Sequence, residues 1–167
     1  MLRRSEFIVP CSPIQRSWPP TGDAWLHEVK FDGWRVQLHK NNRRATVYTK
    51  SGNDFSTRFP SIVAAVAALP VRSVVLDGEL TACDSRGIPN FRALHFHNVP
   101  EDALCVWAFD ILHLNGVDLR ELPLIQRRYA LEKIIYKARD HTLRLSETFA
   151  DGDKLLASCE QMGLEGI

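Results

Sequence analysis

Between Ala24 and Thr49 the chain reads as three short stretches of alternating apolar and polar residues cut by turn signals, the pattern that most restricts what it can fold into. The expected strands are Ala24 to Phe31, Trp34 to His39 and Ala45 to Thr49, joined by Asp32-Gly33 and by the polar turn Lys40 to Arg43. Together they predict an antiparallel meander. In the first strand Trp25, Val29 and Phe31 share one face and Glu28, Lys30 and Asp32 the other, so an apolar side holds it down while a charged side looks outward.

Before this meander, residues 1–23 carry Pro10, Pro13, Pro19 and Pro20 and read as an extended lead-in; residues 24–167 form the domain proper. Beyond the meander, alanine-rich Ser61 to Leu69 predicts a short helix closed by Pro70, and Val71 to Ala82 a strand ended by the turn Asp84 to Gly87. Ala103 to Leu114 is almost wholly apolar and suits a buried strand stopped by Asn115-Gly116. Pro123 opens a helix on which Leu124, Arg128, Leu131, Ile134 and Ile135 follow helical spacing. Thr142 to Ser146 is a further strand, Asp151 to Met162 a helix with Gly163 past its end, and Leu164 to Ile167 the start of an apolar strand. Strands in runs with helices interspersed irregularly define an α+β class with antiparallel sheets.

The 167 residues, 45% hydrophobic and 25% charged, exclude disordered and collagen-like classes. A net charge of +1 demands no polyanionic partner, although Arg3-Arg4, Arg43-Arg44 and Arg127-Arg128 offer local basic patches. Cys11, Cys83, Cys105 and Cys159 form no C-x-x-C pair, which points to a reducing cytoplasm. His95 and His97 could share a strand face, but no acidic or cysteine cluster completes a metal site there, and surface histidines are expected. The apolar stretches are too short to span a bilayer, so no membrane partner is expected.

Chemistry is concentrated around Lys30, which stands between Glu28 and Asp32. With a reference pKa near ~10.4, a lysine is a nucleophile only once its proton is moved, and flanking carboxylates oppose that unless a cation offsets them. A triphosphate with its magnesium is one such cation. The same residues also suit a solvated charged face ending in a turn. Further along, Glu79 follows Gly78 inside an apolar strand, where the missing Cβ admits either a ligand or a neighbouring backbone. Asp110 in its apolar strand needs hydrogen bonds or a cation, and backbone amides are the expected partners. Trp107 and Phe109 alternate with Ala108, as core rings or as a base-stacking platform. The loop Thr49 to Asn53, with Lys50, could meet phosphate or be an ordinary turn.

Taken in order, Glu28-x-Lys30-x-Asp32-Gly33-x-Arg35, Lys50-Ser51-Gly52, Asp77-Gly78-Glu79, Phe109-Asp110-Ile111-Leu112 and Glu165-Gly166-Ile167 resemble the motif series of covalent nucleotidyltransferases, more narrowly the ligase domain of ATP-dependent DNA ligases. Trp25 to Gly33 and Ala108 to Gly116 are most similar to the bacterial ligase D type, used in joining broken DNA ends. The resemblance covers the chain from about Phe7. It implies the fold shared by DNA ligases and mRNA capping enzymes, related to ATP-grasp, with ATP and Mg2+ as cofactors. Nicked or broken double-stranded DNA and end-joining proteins are the implied partners, in DNA repair and recombination. By the same resemblance Lys30 is the nucleophile that takes AMP from ATP, Glu28 reads the adenine amino group, and Arg35 lies near ribose and phosphates. Glu79 contacts ribose or magnesium, Phe109 stacks on the base, and Glu165 holds the metal.

Two departures qualify this expectation. Lys50 stands where these ligases commonly carry arginine, which keeps the charge but loses the bidentate fork for DNA phosphate. The family's chain also continues past Ile167 through a lysine-bearing motif and an OB-fold domain, so the 167 residues are expected to be a C-terminally truncated adenylation domain, slow to form its adduct and unable to seal a nick. The alternatives are a non-catalytic nucleotide-binding remnant, or a related RNA ligase or guanylyltransferase.

Overall fold

The computed structural model describes residues 6–83, 89, 94 and 99–167. The expected turn Asp84 to Gly87 and the pair His95 and His97 lie outside the described residues. Of the first expected strand only β1 (His27–Glu28) is strand, and it pairs with Thr148–Phe149 near the far end of the chain rather than with its neighbour in sequence. The three-stranded meander is therefore a two-stranded hairpin. Gly33 explains the change, because its backbone lies so close under the next part of the sheet that an added Cβ would sit 2.3 Å from the Leu80 carbonyl oxygen. The expected apolar face is corrected too: His27 is buried while Trp25 is 53% exposed. Gly152 packs against the His27 ring and Pro19, where an added Cβ would come within 2.8 Å of each.

The hairpin of β2 (Trp34–Asn41) and β3 (Arg44–Thr49) turns at Asn42, whose φ of 55° an asparagine tolerates. Lys40 was expected in this turn but lies inside β2, buried, with its ammonium donating to the carbonyls of Ala67 (2.6 Å) and Leu69. Those are the last carbonyls around α1 (Pro60–Ala68), left without partners by the helix itself, so the lysine caps it. Burial holds the Lys40 pKa below its ordinary value. Proline at the first turn starts α1, and Ile62, Ala65 and Val66 seat it on the sheet.

Strand β4 (Ser73–Ala82) pairs with β2, and β5 (Leu104–Leu114) with β4, both antiparallel. Asn115 (φ 51°) and Gly116 stop β5, and the Asn115 side chain accepts from the amides of Arg72 (2.9 Å) and Ser73 (3.2 Å). A short β6 (Val117–Asp118) folds back on β5. Helix α2 (Leu124–Ala138) then carries the chain to β7 (Leu143–Leu145), which runs parallel to β5. This crossover is the one parallel pairing among the described strands of an otherwise antiparallel sheet ordered β3-β2-β4-β5-β6. After β8 (Thr148–Phe149), the partner of β1, Asp151 caps α3 (Gly152–Met162) by accepting from the Lys154 amide at 3.0 Å, and Gly163 ends it, as expected. The expected strand beyond Leu164 is not formed, yet the Gly166 carbonyl accepts from the Lys30 amide at 2.8 Å.

The sheet has two unlike faces. Val36, Leu38, Val47, Val74, Leu76, Leu80, Val106, Ala108 and Ile111 belong to the core with Ile62 and Val66 of α1 and Leu131 and Ile134 of α2. Arg35, Gln37, His39, Asp77, Glu79, Thr81, Trp107 and Phe109 alternate with them on the other face. The lead-in crosses part of that second face: the Gln37 amide accepts from Ile8 N–H (3.0 Å) and donates to Ile8 O (2.9 Å), while Phe7 meets Tyr48 edge-on. Among the described residues no helix is long and apolar enough to cross a membrane.

Candidate active site

Strand alternation places the second face, and the β2-β4-β5 register assembles it. Arg35 lies opposite Glu79, and Glu79 opposite Trp107. The Arg35 fork donates to both Asp77 oxygens, at 2.7 and 2.9 Å, and its guanidinium lies 4.6 Å from the centre of the Phe109 ring. Beside it the Phe31 ring stacks on Trp107, with centroids 4.2 Å apart and planes 10° from parallel. Trp107 is pinned in turn, its indole N–H donating to the Thr81 hydroxyl at 3.1 Å. Gly78 makes this layer possible by letting β5 approach: a Cβ there would lie 2.8 Å from the Trp107 carbonyl oxygen. The neighbour its missing side chain admits is backbone.

Lys30, two residues past the end of β1, comes close enough to this face to act on Glu79. Its ammonium pairs with the Glu165 carboxylate, 49% and 42% of the two side chains remaining exposed, so the pair stands at an open surface. Glu79 lies in the field of both. Burial pushes its carboxyl up to about 7, against the pull of Arg35 and Lys30, with Glu165 and Asp77 adding to the rise. One lysine thus pairs with Glu165 and acts electrostatically on Glu79, two carboxylates far apart in the sequence. Among the described residues no group of three or more His, Cys, Asp or Glu side chains is placed to hold a metal ion alone. Glu79 and Glu165 fit an ion of the magnesium type, which takes one or two carboxylates and completes its shell with phosphate oxygens and water.

The remaining expected residues divide. Phe109 stands under Arg35, so its ring already carries a cation on one side. Arg35 is committed to Asp77 and lies beside Glu79 rather than apart from the carboxylates. Lys50 is exposed on the turn after β3, and since Thr49 pairs with Val36 it leaves the sheet at the Arg35 end. Glu28 does not look out to water. Its Oε1 accepts from Arg128 at 2.7 Å, and burial raises its pKa while Ser146 and Arg128 pull the other way. Asp110 takes both kinds of partner: the Ile111 amide at 2.8 Å and a bidentate Arg127 at 2.8 and 2.9 Å.

Sequence reasoning passed over Asp77 and Arg128 as site residues. Asp77 was visible in principle, two positions from Glu79 and so on its face of the strand. Arg127-Arg128 is not the basic patch its sequence offers, since Arg128 is buried on Glu28 and Arg127 pairs with Asp110; a cation at a helical step among Leu131, Ile134 and Ile135 requires an acidic partner, and that is the available signal. Cys83 and Cys105, distant in sequence, stand with their sulfurs 3.5 Å apart beside Thr81.

The fold is that of the nucleotidyltransferase domains of DNA ligases. The ligase domain of M. tuberculosis LigD aligns over 85% of this chain and 46% of its own, with a TM-score of 0.71 and 30% identity. A mycobacterial DNA ligase D complexed with ATP and MES aligns over 89% and 51%, with a TM-score of 0.70 and 28% identity. The chain belongs to the ATP dependent DNA ligase domain family, whose model matches residues 9–167. It is 34% identical to the multifunctional non-homologous end joining protein LigD of Pseudomonas aeruginosa over 97% of its length, and 36% identical to DNA ligase B of Mycobacterium tuberculosis H37Rv over 87%. The chain spans 20% and 31% of those two proteins.

Proposed function

We propose that this chain is the adenylation unit of an ATP-dependent DNA ligase and that Lys30 is its nucleophile. One observation carries the reading: the fold brings Lys30 against Glu165 and into the field of Glu79, three residues far apart in sequence, on a face that also presents Phe109 and Arg35. In the step proposed, the neutral Lys30 amine attacks the α-phosphorus of ATP, the bond from that phosphorus to the pyrophosphate oxygen breaks, and the proton the nitrogen loses passes to water at this open surface. Pyrophosphate leaves and AMP stays on the lysine through a nitrogen-phosphorus bond. Bound magnesium would neutralise charge on the phosphates, with Glu79 and Glu165 as its protein ligands. Arg35 adds a fixed cation near the ribose and phosphates, and Phe109 with Glu28 receives the adenine.

Transfer of the AMP to a DNA 5′-phosphate, nick sealing and a place in end joining belong to the same proposal. They draw on the similarity to LigD and DNA ligase B, with Lys50 as a contact to DNA phosphate. The test is incubation of the chain with α-labelled ATP and magnesium beside Lys30→Ala. Slow, Lys30-dependent labelling that is released by nucleophile-free acid, without nick sealing by these 167 residues alone, is the expected result. Label that survives Lys30→Ala would overturn it.

A further inference from the structure

Arg128 is buried on α2, and its single guanidinium ties together three segments that the chain keeps far apart. One nitrogen donates to Glu28 Oε1 at 2.7 Å and to the Phe109 carbonyl at 3.0 Å; the other donates to the Ser146 carbonyl. Glu28 lies on β1, two residues before Lys30, and among the described strands β1 pairs with β8 alone. Phe109 lies on β5 and carries the ring proposed to receive the base. One side chain thus ties the Glu28 carboxylate to the backbone of the residue that carries that ring. Oε1 of Glu28 is taken by Arg128 and the carboxylate also accepts from the Ser146 side chain, but a carboxylate has about four lone-pair positions, so the group retains capacity to accept from a ligand.

Resting on the adenylation reading above, we propose that Arg128 is the positioning residue of the base corner: it fixes Glu28 as an oriented acceptor beside Phe109 and so sets the preference for a purine bearing an exocyclic amino group. Arg128 itself touches no reacting atom. Its effect is geometric and electrostatic, because a planar fork holds an acceptor in one orientation where a lysine's point charge does not. The Ser146 side chain and Arg128 together oppose the burial that would otherwise favour a protonated, donating carboxyl.

The experiment compares the equilibrium binding of two magnesium nucleotides, ATP and purine riboside triphosphate, which lacks the amino group, to the parent chain and to folded Arg128→Lys. The parent is expected to prefer ATP by about tenfold, the value of one hydrogen bond to a charged group. Arg128→Lys should bring that preference to within about twofold while changing the affinity for purine riboside triphosphate by less than about twofold. Equal weakening of both nucleotides, or an unchanged preference, overturns the proposal, since a merely structural arginine would give the first and an idle one the second. If Arg128→Lys does not fold, Glu28→Gln measures the same corner: it should lose the ATP preference, and retention of it overturns the proposal. Binding of neither nucleotide by the parent chain removes the adenylation reading and this inference with it, whereas tight binding with no Lys30 adduct removes only the chemistry.

Discussion

Glu79 is a carboxylate held where charge is costly, and the sign of its effect on stability follows from that. Its folded pKa, pushed up to about 7 from an ordinary 4.5, means that the folded state binds the proton more tightly than the unfolded chain does. Its contribution is therefore fully present below pH about 4.5 and is lost as pH rises through about 7, with a ceiling of ~3 kcal/mol at ~1.36 kcal/mol per pKa step. Glu28 is raised as well and acts in the same direction, so the Glu79 share is the difference between parent and Glu79→Gln. Urea melts without magnesium should show the parent losing stability between pH 5 and 8 more steeply than Glu79→Gln; parallel curves would mean that Glu79 is well solvated. The sequence announced this residue only as an acidic group after a glycine. That Asp77 stands beside it, holding Arg35, depends on cross-strand register, which spacing along one strand does not contain.

At the scale of elements, the helices were legible because their ends are written in local chemistry: Pro70 just past α1, Pro123 before α2, Asp151 and Gly163 bounding α3. Strand β1 was not, because alternation from Trp25 to Phe31 describes a face without naming what covers it, and Pro19 and Gly152 select His27 for burial. The contact of β4 with β5 is the element pair on which the site depends. Gly78→Ala would drive a Cβ to 2.8 Å from the Trp107 carbonyl oxygen and from a Val106 methyl, both part of packed backbone and core. An expected loss of ~1–3 kcal/mol follows, with the Trp107 and Phe109 rings displaced and Lys30 labelling reduced. Asp151→Ala is the control, removing the cap bond to the Lys154 amide without touching β5, so it should lower stability slightly and leave labelling unchanged. Thermal melting and labelling of both variants check this, and a Gly78→Ala chain with parental stability would show that β5 has room to move.

Across the whole molecule, the candidate site is built from β1, the β2-β4-β5 face and the segment after α3, so a ligand that touches all three binds only the folded chain. Such binding must raise stability, by about 2.7 kcal/mol at a hundredfold excess over the dissociation constant. The ion pair of Lys30 with Glu165 does little of this by itself. Both side chains are nearly half exposed, and pairs of that kind contribute ~0–1 kcal/mol, so the pairing is explained by chemistry better than by stability. Two outcomes separate these roles. Lys30→Ala should melt within about 3 °C of the parent when no ligand is present, while magnesium ATP should raise the melting temperature of the parent by several degrees. Adduct formation should vanish in that variant although its fold does not change. A large loss of stability in Lys30→Ala, with no response of the parent to magnesium ATP, would instead make the lysine a structural tie between β1 and the segment that carries Glu165.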